Sequence, residues 1–417
     1  MSIASRLSIP LIAAFLVGAP VFWAFPDELS GWRSFAIVAG WTGCGLLLAS
    51  LLLMIREPWL ASRLGGLERM YVWHHRLGMA AYLVLLCHPL ALAADGWEEQ
   101  PAFAWAELDP GQQGWPGWLG WAALLALMAG MAAALAPRLS YSAWRGLHAL
   151  LAGAVVLAFA HLLLLGLDYL LLWTPLLAMS FMLWRLVRAD YGGAARPYVV
   201  RQVHRLAPDL VEVSLAPLSQ AISAQPGQFV LAAFLDGPRF RGCREFHPFT
   251  ISALAADGGL SLGIKALGDC TRHFQSVECG VAARLQGPFG TFLADQPRGP
   301  SLWIAGGIGI TPFLAVLRTR PLRQPVRLVY LHRSSRDAGY LDELQALAAA
   351  QPSLSLTAMA NADGVPDLPA IPPAAADLVG VHCHLCGPPG LLTAAVALLQ
   401  ARGVPRERIH CERFDFR

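Results

Sequence analysis

The sequence predicts a multi-domain protein: a six-helix transmembrane bundle, then a small antiparallel β-barrel, then an α/β domain. Three observations carry that expectation. Residues 1 to about 188 are rich in Leu, Ala and Trp and poor in charge, whereas the chain from about Ala189 onward has the charge density of a soluble protein. From Arg196 the pattern becomes short alternating strands between Gly, Pro and Asp turns, and from Ser301 strands alternate with helical runs. Within the apolar part, two hydrophobic stretches carry five histidines, four of them at matching spacings. The expected division is residues 1–190, 191–297 and 298–417.

Six apolar segments are expected at about 9–25, 34–55, 74–94, 115–136, 147–166 and 169–186. Several reach the roughly 20 residues that cross a bilayer as a helix. The first follows Arg6 but lacks a convincing small-residue cleavage site, so it is expected to be a retained helix. Arg56, Arg63 and Arg69 lie between the second and third segments, and Arg138 and Arg145 between the fourth and fifth. Arg185 and Arg188 end the sixth. The third-to-fourth connection instead carries Asp95, Glu98, Glu99, Glu107 and Asp109 without Lys or Arg. Positive loops face the cytoplasm, so the expectation is an inner-membrane, multi-pass protein with both termini cytoplasmic and the acidic connection outside.

The histidines give this bundle its chemistry. His74 and His88 are 14 residues apart, and His148 and His161 are 13 apart. At about 1.5 Å per residue each pair spans roughly 20 Å, which makes two imidazole levels inside a hydrocarbon core about 30 Å thick. Groups this polar are costly there and mark a pathway or a cofactor. One histidine from each helix at each level makes two bis-histidine haem irons, a coordination suited to electron transfer. A step of 14 returns to within roughly 40° of the same helix face and a step of 13 lands about 140° away. His74 therefore pairs better with His88 than His75 does, and the His148–His161 helix needs distortion or rings that reach their irons from different sides.

In the soluble part, six strand-like runs from RPYVVRQVHRL to ARLQGPFGTF suggest the barrel. The alternation after Ser301 suggests a parallel sheet with crossover helices. SLWIAGGIGITPF reads as a strand ending in glycines (Gly306, Gly307, Gly309), whose missing side chains let backbone amides approach a pyrophosphate. Thr311 fits an N-cap and Pro312 the first helical position. Arg333 and Arg336, after the next strand, suit a 2′-phosphate and favour NADPH over NADH. CGPPG (Cys386, Gly387, Pro388 onward) is a second Gly/Pro turn at a strand end, the edge where open sheets bind ligands. In HPFTIS, the Thr250 hydroxyl can hydrogen-bond a flavin ring edge, and the turn at Gly268 and Thr271 can offer amides and a hydroxyl to a diphosphate.

Charge and cysteine narrow the classes further. A net charge of +3 with no clustered Lys/Arg run gives no ground for nucleic-acid binding. The eight cysteines are scattered, which reads as reduced thiols facing a cytoplasm. Cys383 and Cys386 form a single Cys-x-x-Cys on a strand, where a structural zinc site needs two such pairs.

Taken together these motifs resemble the ferric reductase and NADPH oxidase superfamily over nearly the whole chain. HPFTIS is similar to its flavin motif, and GPFGTF, AGGIGITPF and CGPPG to its pyridine-nucleotide motifs; the histidine spacings match the haem ligands of eukaryotic oxidases. The resemblance implies a ferredoxin-reductase-like module holding FAD between barrel and nucleotide domain. His247, Pro248, Phe249, Thr250 and Ser252 would lie at the flavin motif, with Gly268 and Thr271 near the diphosphate. Gly306, Gly307, Gly309, Thr311, Pro312, Cys386, Gly387 and Pro388 would contact NADPH, and Phe416, or else Phe414, would cover the flavin ring. It further implies electron flow from cytoplasmic NADPH through FAD and two b-type haems to an outer acceptor. That acceptor is O2, giving superoxide, or alternatively a ferric chelate. Calcium-binding loops and long insertions are lacking, so no obligatory protein partner is expected. A haem module serving a separate redox protein is the alternative.

Overall fold

The computed structural model describes residues 3–26, 29–136, 139, 141–166, 172–293, 299–334, 337–360, 378 and 380–412. The chain divides into two compact units, Met1–Tyr191 and Gly192–Arg417.

The first unit is helical: α1 Ile3–Ala24, α2 Gly31–Leu53, α3 Pro58–Leu64, α4 Leu67–Glu99, α5 Pro101–Leu108, α6 Trp115–Leu135, α7 Tyr141–Leu164 and α8 Trp173–Trp184. Local chemistry sets the ends. The Ser30 hydroxyl accepts from the Arg33 amide at 3.0 Å to cap α2. Proline occupies the first turn of α3, α5 and α6, where its missing N–H costs nothing, and Gly65 at φ +91° ends α3 in the left-handed conformation.

Four helical stretches among the described residues are long and apolar enough to cross a membrane: α2, α4, α6 and Gly146–Leu164 of α7. The first expected segment appears as a shorter apolar stretch, Leu7–Trp23, and the sixth as the 12-residue α8 followed by a π-helical turn, Arg185–Asp190. Two boundaries differ from expectation. α4 starts before His74 and runs on to Glu99, and the acidic connection contains α5 instead of being all loop. Of the most apolar window in α2, 61% is buried within the protein, against 17% in α7. α2 is thus an interior helix, while α4, α6 and α7 turn most of their apolar surface outward, as lipid contact requires.

The second unit begins with a closed antiparallel barrel of β1 Arg196–Ala207, β2 Leu210–Pro217, β3 Phe229–Phe234, β4 His247–Leu254, β5 Leu260–Lys265 and β6 Ala282–Phe289, ordered β1-β2-β5-β4-β3-β6. Its core holds Tyr198, Val213, Phe234, Phe249, Leu262 and Phe274. Between β5 and β6 lies one short helix, α9 Asp269–His273.

A parallel sheet follows, ordered β11-β10-β7-β8-β9, from β7 Ser301–Gly306, β8 Val326–His332, β9 Leu354–Ala360, β10 His382–Cys386 and β11 Ile409–Glu412. The connecting helices are α10 Thr311–Thr319, α11 Leu341–Ala350 and α12 Pro389–Ala401. The chain leaves β7 toward β8 and β9, then returns to the other side of β7 as β10. That reversal opens a crevice at the C-terminal ends of β7 and β10. Cys383 and Cys386 point into different cores on the two faces of β10.

Barrel and sheet are joined by one buried carboxylate. Glu212 of β2 accepts from Arg318 of α10 at 2.8 Å, from the Ser252 hydroxyl at 2.6 Å and from the Tyr340 hydroxyl at 3.1 Å. Arg318 also pairs with Glu343 of α11 at 2.7 Å. Burial alone would push the Glu212 carboxyl up, but Arg318, Ser252 and Tyr340 outweigh it and hold it below its usual value of 4.5.

Arg318→Ala leaves that carboxylate buried without its cation, and we expect a loss of about 3 kcal/mol. It should appear as a lowered thermal midpoint of the full-length protein, with a smaller drop for Glu343→Ala, since Glu343 is half-exposed. An unchanged midpoint would remove the clamp. Because the folded-state pKa of Glu212 is depressed, its stabilisation is complete above about 4.5 and lost as pH falls through the folded value. Glu212→Gln should abolish that part of the acid-side decline, and identical midpoint-versus-pH curves for variant and wild type would refute it.

Candidate functional site

Of the five imidazoles in the helical unit, three are held at Nδ1 by hydrogen bonds to neighbouring helices. His74 Nδ1 lies 2.7 Å from the Ser50 hydroxyl and 3.2 Å from the Ser50 carbonyl on α2. His88 Nδ1 lies 2.8 Å from the Ala36 carbonyl, also on α2, and His161 Nδ1 2.6 Å from the Pro116 carbonyl on α6. A carbonyl only accepts, so in these three rings Nδ1 carries the proton and Nε2 keeps its lone pair. His148 differs: its Nδ1 is screened from water and has no hydrogen-bond partner among the described residues, and its ring stacks on Trp144 at 4.9 Å.

The first level can be read from ring distances. His74 of α4 and His148 of α7 stand with centroids 6.3 Å apart and planes at 72°. A centroid separation of that size is enough for one metal between two rings, each metal–nitrogen bond being about 2 Å. His75 lies 5.8 Å from His74. At the second level, Gly40 and Gly120 make space: a Cβ on Gly40 would stand 3.2 Å from the His88 ring, and one on Gly120 would stand 3.0 Å from the His161 ring. Pro89, directly after His88, removes one hydrogen bond from the middle of α4. In three of the four rings Nδ1 is anchored and Nε2 is left to act as ligand, and the donor set fits haem iron.

In the second unit, β4 divides the HPFTIS residues between two faces. Phe249 packs into the barrel core against Phe274 at 6.2 Å, while Thr250 stands on the opposite face. The Thr250 hydroxyl is buried with no hydrogen-bond partner among the described residues, which suits a flavin ring edge. Ser252 is already committed to Glu212. Half-buried His247 lies 5.7 Å from Phe274. At the β5–α9 turn, Thr271 Oγ1 accepts from the Leu267 and Gly268 amides at 2.9 and 2.8 Å, so this hydroxyl shapes the turn.

The nucleotide edge is built by the β7–β10 reversal. A Cβ on Gly309 would overlap the Cys386 carbonyl, and one on Gly306 would stand 2.9 Å from Pro388. The AGGIG and CGPPG turns therefore touch backbone to backbone. Gly307, at φ +55°, has open space where its Cβ would be, which leaves its amide approachable. Thr311 is not the N-cap but the first helical residue, and its hydroxyl donates to the Ile308 carbonyl at 3.0 Å; Ile310 takes the cap position and Pro312 the second. Arg333 is exposed at the end of β8; Arg336, Phe414 and Phe416 lie outside the described residues.

Family comparison decides what these parts belong to. Residues 39–159 match the ferric reductase like transmembrane component, 197–302 an FAD-binding domain, and 303–397 an oxidoreductase NAD-binding domain. The chain has the architecture of the ferric reductase and NADPH oxidase superfamily. The chain thus carries FAD- and NAD-binding oxidoreductase domains behind a membrane component. It is 27% identical over 218 residues to the ferredoxin–NAD(P)(+) reductase component of a Ralstonia naphthalene 1,2-dioxygenase/salicylate 5-hydroxylase system, covering 47% of this chain and 62% of that one. It is 30% identical over 202 residues to a Mycobacterium tuberculosis NADPH oxidoreductase, covering 46% and 52%. The chain thus spans between half and two thirds of these relatives' length. An Amycolatopsis cytochrome P450 reductase structure aligns at 25% identity with a TM-score of 0.44, over 53% of this chain and 69% of that one.

Several contributors escaped the sequence reading. Ser50 positions His74 from another helix, and no local pattern marks it. Glu412 of β11, buried beside Cys386, has a carboxylate oxygen 3.6 Å from where a Gly290 Cβ would stand. The expectation of reduced thiols fails at one place: Cys243 and Cys270 are bonded to each other, although 27 residues apart in sequence. Folding of the 235–246 segment onto the β5–α9 turn creates that contact, which linear spacing does not reveal.

Gly309→Ala should force the two nucleotide turns apart and raise the KM for NADPH on the order of 10-fold or more, with bound FAD retained; an unchanged KM would show the turns do not meet the nucleotide. Thr250→Val should weaken FAD about fivefold, the worth of one hydrogen bond, as read by fluorescence titration of the purified protein.

Proposed function

We propose that this chain is a transmembrane oxidoreductase carrying electrons from cytoplasmic NADPH, by way of FAD and two b-type haems, to O2 on the opposite face, giving superoxide. The observation that carries the reading is the set of imidazoles held at Nδ1 by backbone carbonyls from neighbouring helices, with Nε2 left for iron. His74 and His148 would hold the inner haem, and His88 and His161 the outer one. A six-coordinate iron supplies one-electron transfer, and a flavin supplies the exchange between a two-electron donor and one-electron carriers.

The chain's own part is placement. Thr250 would orient the flavin ring, with His247 and Pro248 beside it and the Gly268–Thr271 turn at the diphosphate. Gly306, Gly307, Gly309, Cys386, Gly387 and Pro388 would let the nucleotide approach the β7–β10 crevice, and Arg333 favours NADPH by its charge. Arginines beside the membrane helices support cytoplasmic termini and an inner-membrane location. Domain limits near residues 190 and 297 follow from the same reading.

The test is anaerobic stopped-flow on detergent-purified, FAD-loaded protein reduced by NADPH, with the haem Soret band as readout. Rapid reoxidation by oxygenated buffer with superoxide trapped supports the reading. Reoxidation by ferric citrate alone would make the protein a ferric-chelate reductase, and haems that NADPH never reduces would point to a separate redox partner. His88→Ala should abolish outward reduction and leave flavin reduction by NADPH intact; wild-type outward activity in that variant would reject the outer haem assignment.

A further inference from the structure

The 235–246 segment between β3 and β4 has no strand or helix of its own and is pinned by side chains. Arg239 pairs with Glu278 at 3.2 Å, the Gly242 amide donates to Asp236 at 3.0 Å, and Arg244, at φ +57°, bonds Asp236. In its last part, Cys243 meets Cys270, one residue before Thr271 of the turn described above. Their Cα atoms are 6.0 Å apart, within the usual span of a disulfide. The ligand atoms of Cys243, Cys270 and His247 all lie within 4.8 Å of one another, and all three residues are half-buried. The bond therefore ties together both ends of the flavin motif's surroundings: the segment leading into His247 and the turn ending at Thr271.

We propose that Cys243 and Cys270 form a reversible dithiol–disulfide pair that sets how firmly the barrel holds FAD. The chemistry favours this pair over the other cysteines. Cys243 and Cys270 stand within bonding reach of each other and within 4.8 Å of a His247 ring nitrogen, and both are only half-buried. By contrast Cys383 is fully buried, and burial pushes its thiol up to about 11. Oxidation needs a hydroperoxide. The Cys243 thiolate attacks the peroxide oxygen, taking one oxygen as sulfenic acid and, with one proton, releasing an alcohol or water. The Cys270 thiol then displaces that oxygen as water and closes the S–S bond. A dithiol returns both thiols to the reduced state, leaving its own disulfide. In the oxidised form the loop and the turn are fixed against each other, so FAD meets a pre-organised surface; reduction frees the loop and weakens binding.

This inference rests on FAD binding at the β4 and Thr271 surfaces, and the test separates the two. Full-length detergent-purified protein is prepared without FAD, reduced with dithiothreitol or oxidised with hydrogen peroxide, and mapped by alkylation and peptide mass spectrometry. FAD affinity is then measured by fluorescence titration in each state. The expected result is a Cys243–Cys270 peptide in the oxidised state only, with FAD held at least about fivefold tighter than in the reduced state. Cys243→Ser/Cys270→Ser should bind FAD like the reduced protein and ignore peroxide, with its circular dichroism spectrum reporting that it folds. Thr271→Ala checks the underlying site. If it leaves FAD affinity unchanged, the Thr271 surface is wrong and the inference falls with it. If it weakens FAD while oxidation state has no effect, only the inference falls. Stoichiometric zinc in the reduced protein that is lost in His247→Ala would make the cluster a metal centre and overturn the proposal.

Discussion

An imidazole in apolar surroundings has two nitrogens to satisfy, and this requirement organises the helical unit. Each unsatisfied polar group costs several kcal/mol where water is excluded. Here the partners come from neighbouring helices. The three carbonyls that meet His74, His88 and His161 come from α2 and α6, each as a second lone pair of an oxygen already placed by its own helix. The packing of α4 on α2 and of α7 on α6 is therefore specified by polar contacts as well as by the Leu and Ala surfaces between them. The same contacts fix which nitrogen faces away from the carbonyl.

The soluble unit solves the corresponding problem with a carboxylate. Glu212 accepts four hydrogen bonds from three side chains on three segments, so removing it from water is compensated at both oxygens. Two of the donors, Arg318 and Tyr340, belong to the sheet domain, and two features of the barrel, β2 and β4, supply the acid and Ser252. The barrel face that carries Thr250 is thereby held against α10, the helix that starts from the AGGIG turn. A site for two ligands in sequence needs that kind of fixed spacing, and hydrophobic contact alone leaves it free to slide.

Much of this was legible in the sequence because it depends on periodicity and on residue types with narrow conformational roles. The six barrel strands and the β7–α10–β8–α11 run follow from alternation and from Gly and Pro punctuation, and the glycines at the β7 end follow from the need for backbone approach. What was not legible depends on contacts between distant segments. β9 and β11 are short and weakly patterned and become strands only beside β8 and β10. The extension of α4 past His74 in one direction and to Glu99 in the other was hidden because its ends are polar, and polarity reads as loop. Ser50, Glu212 and the Cys243–Cys270 contact have no local signal at all.

The histidine spacing shows where periodicity stops being a guide. A step of 13 residues should place His148 and His161 on opposing faces of an ideal helix, and α7 is one continuous helix over both. The two rings nevertheless have different environments: His161 is tied to the α6 backbone, whereas His148 stacks on Trp144 and stands near His74. A helix whose two imidazoles point different ways needs neighbours on both sides at the two depths, and α4 and α6 provide them: Leu127, Met131 and Ala154 share one cluster with Met79, Tyr82 and Leu85 between the two levels. The apparent misfit in α7 is therefore a consequence of helix packing, and no break in the helix is required to reconcile it.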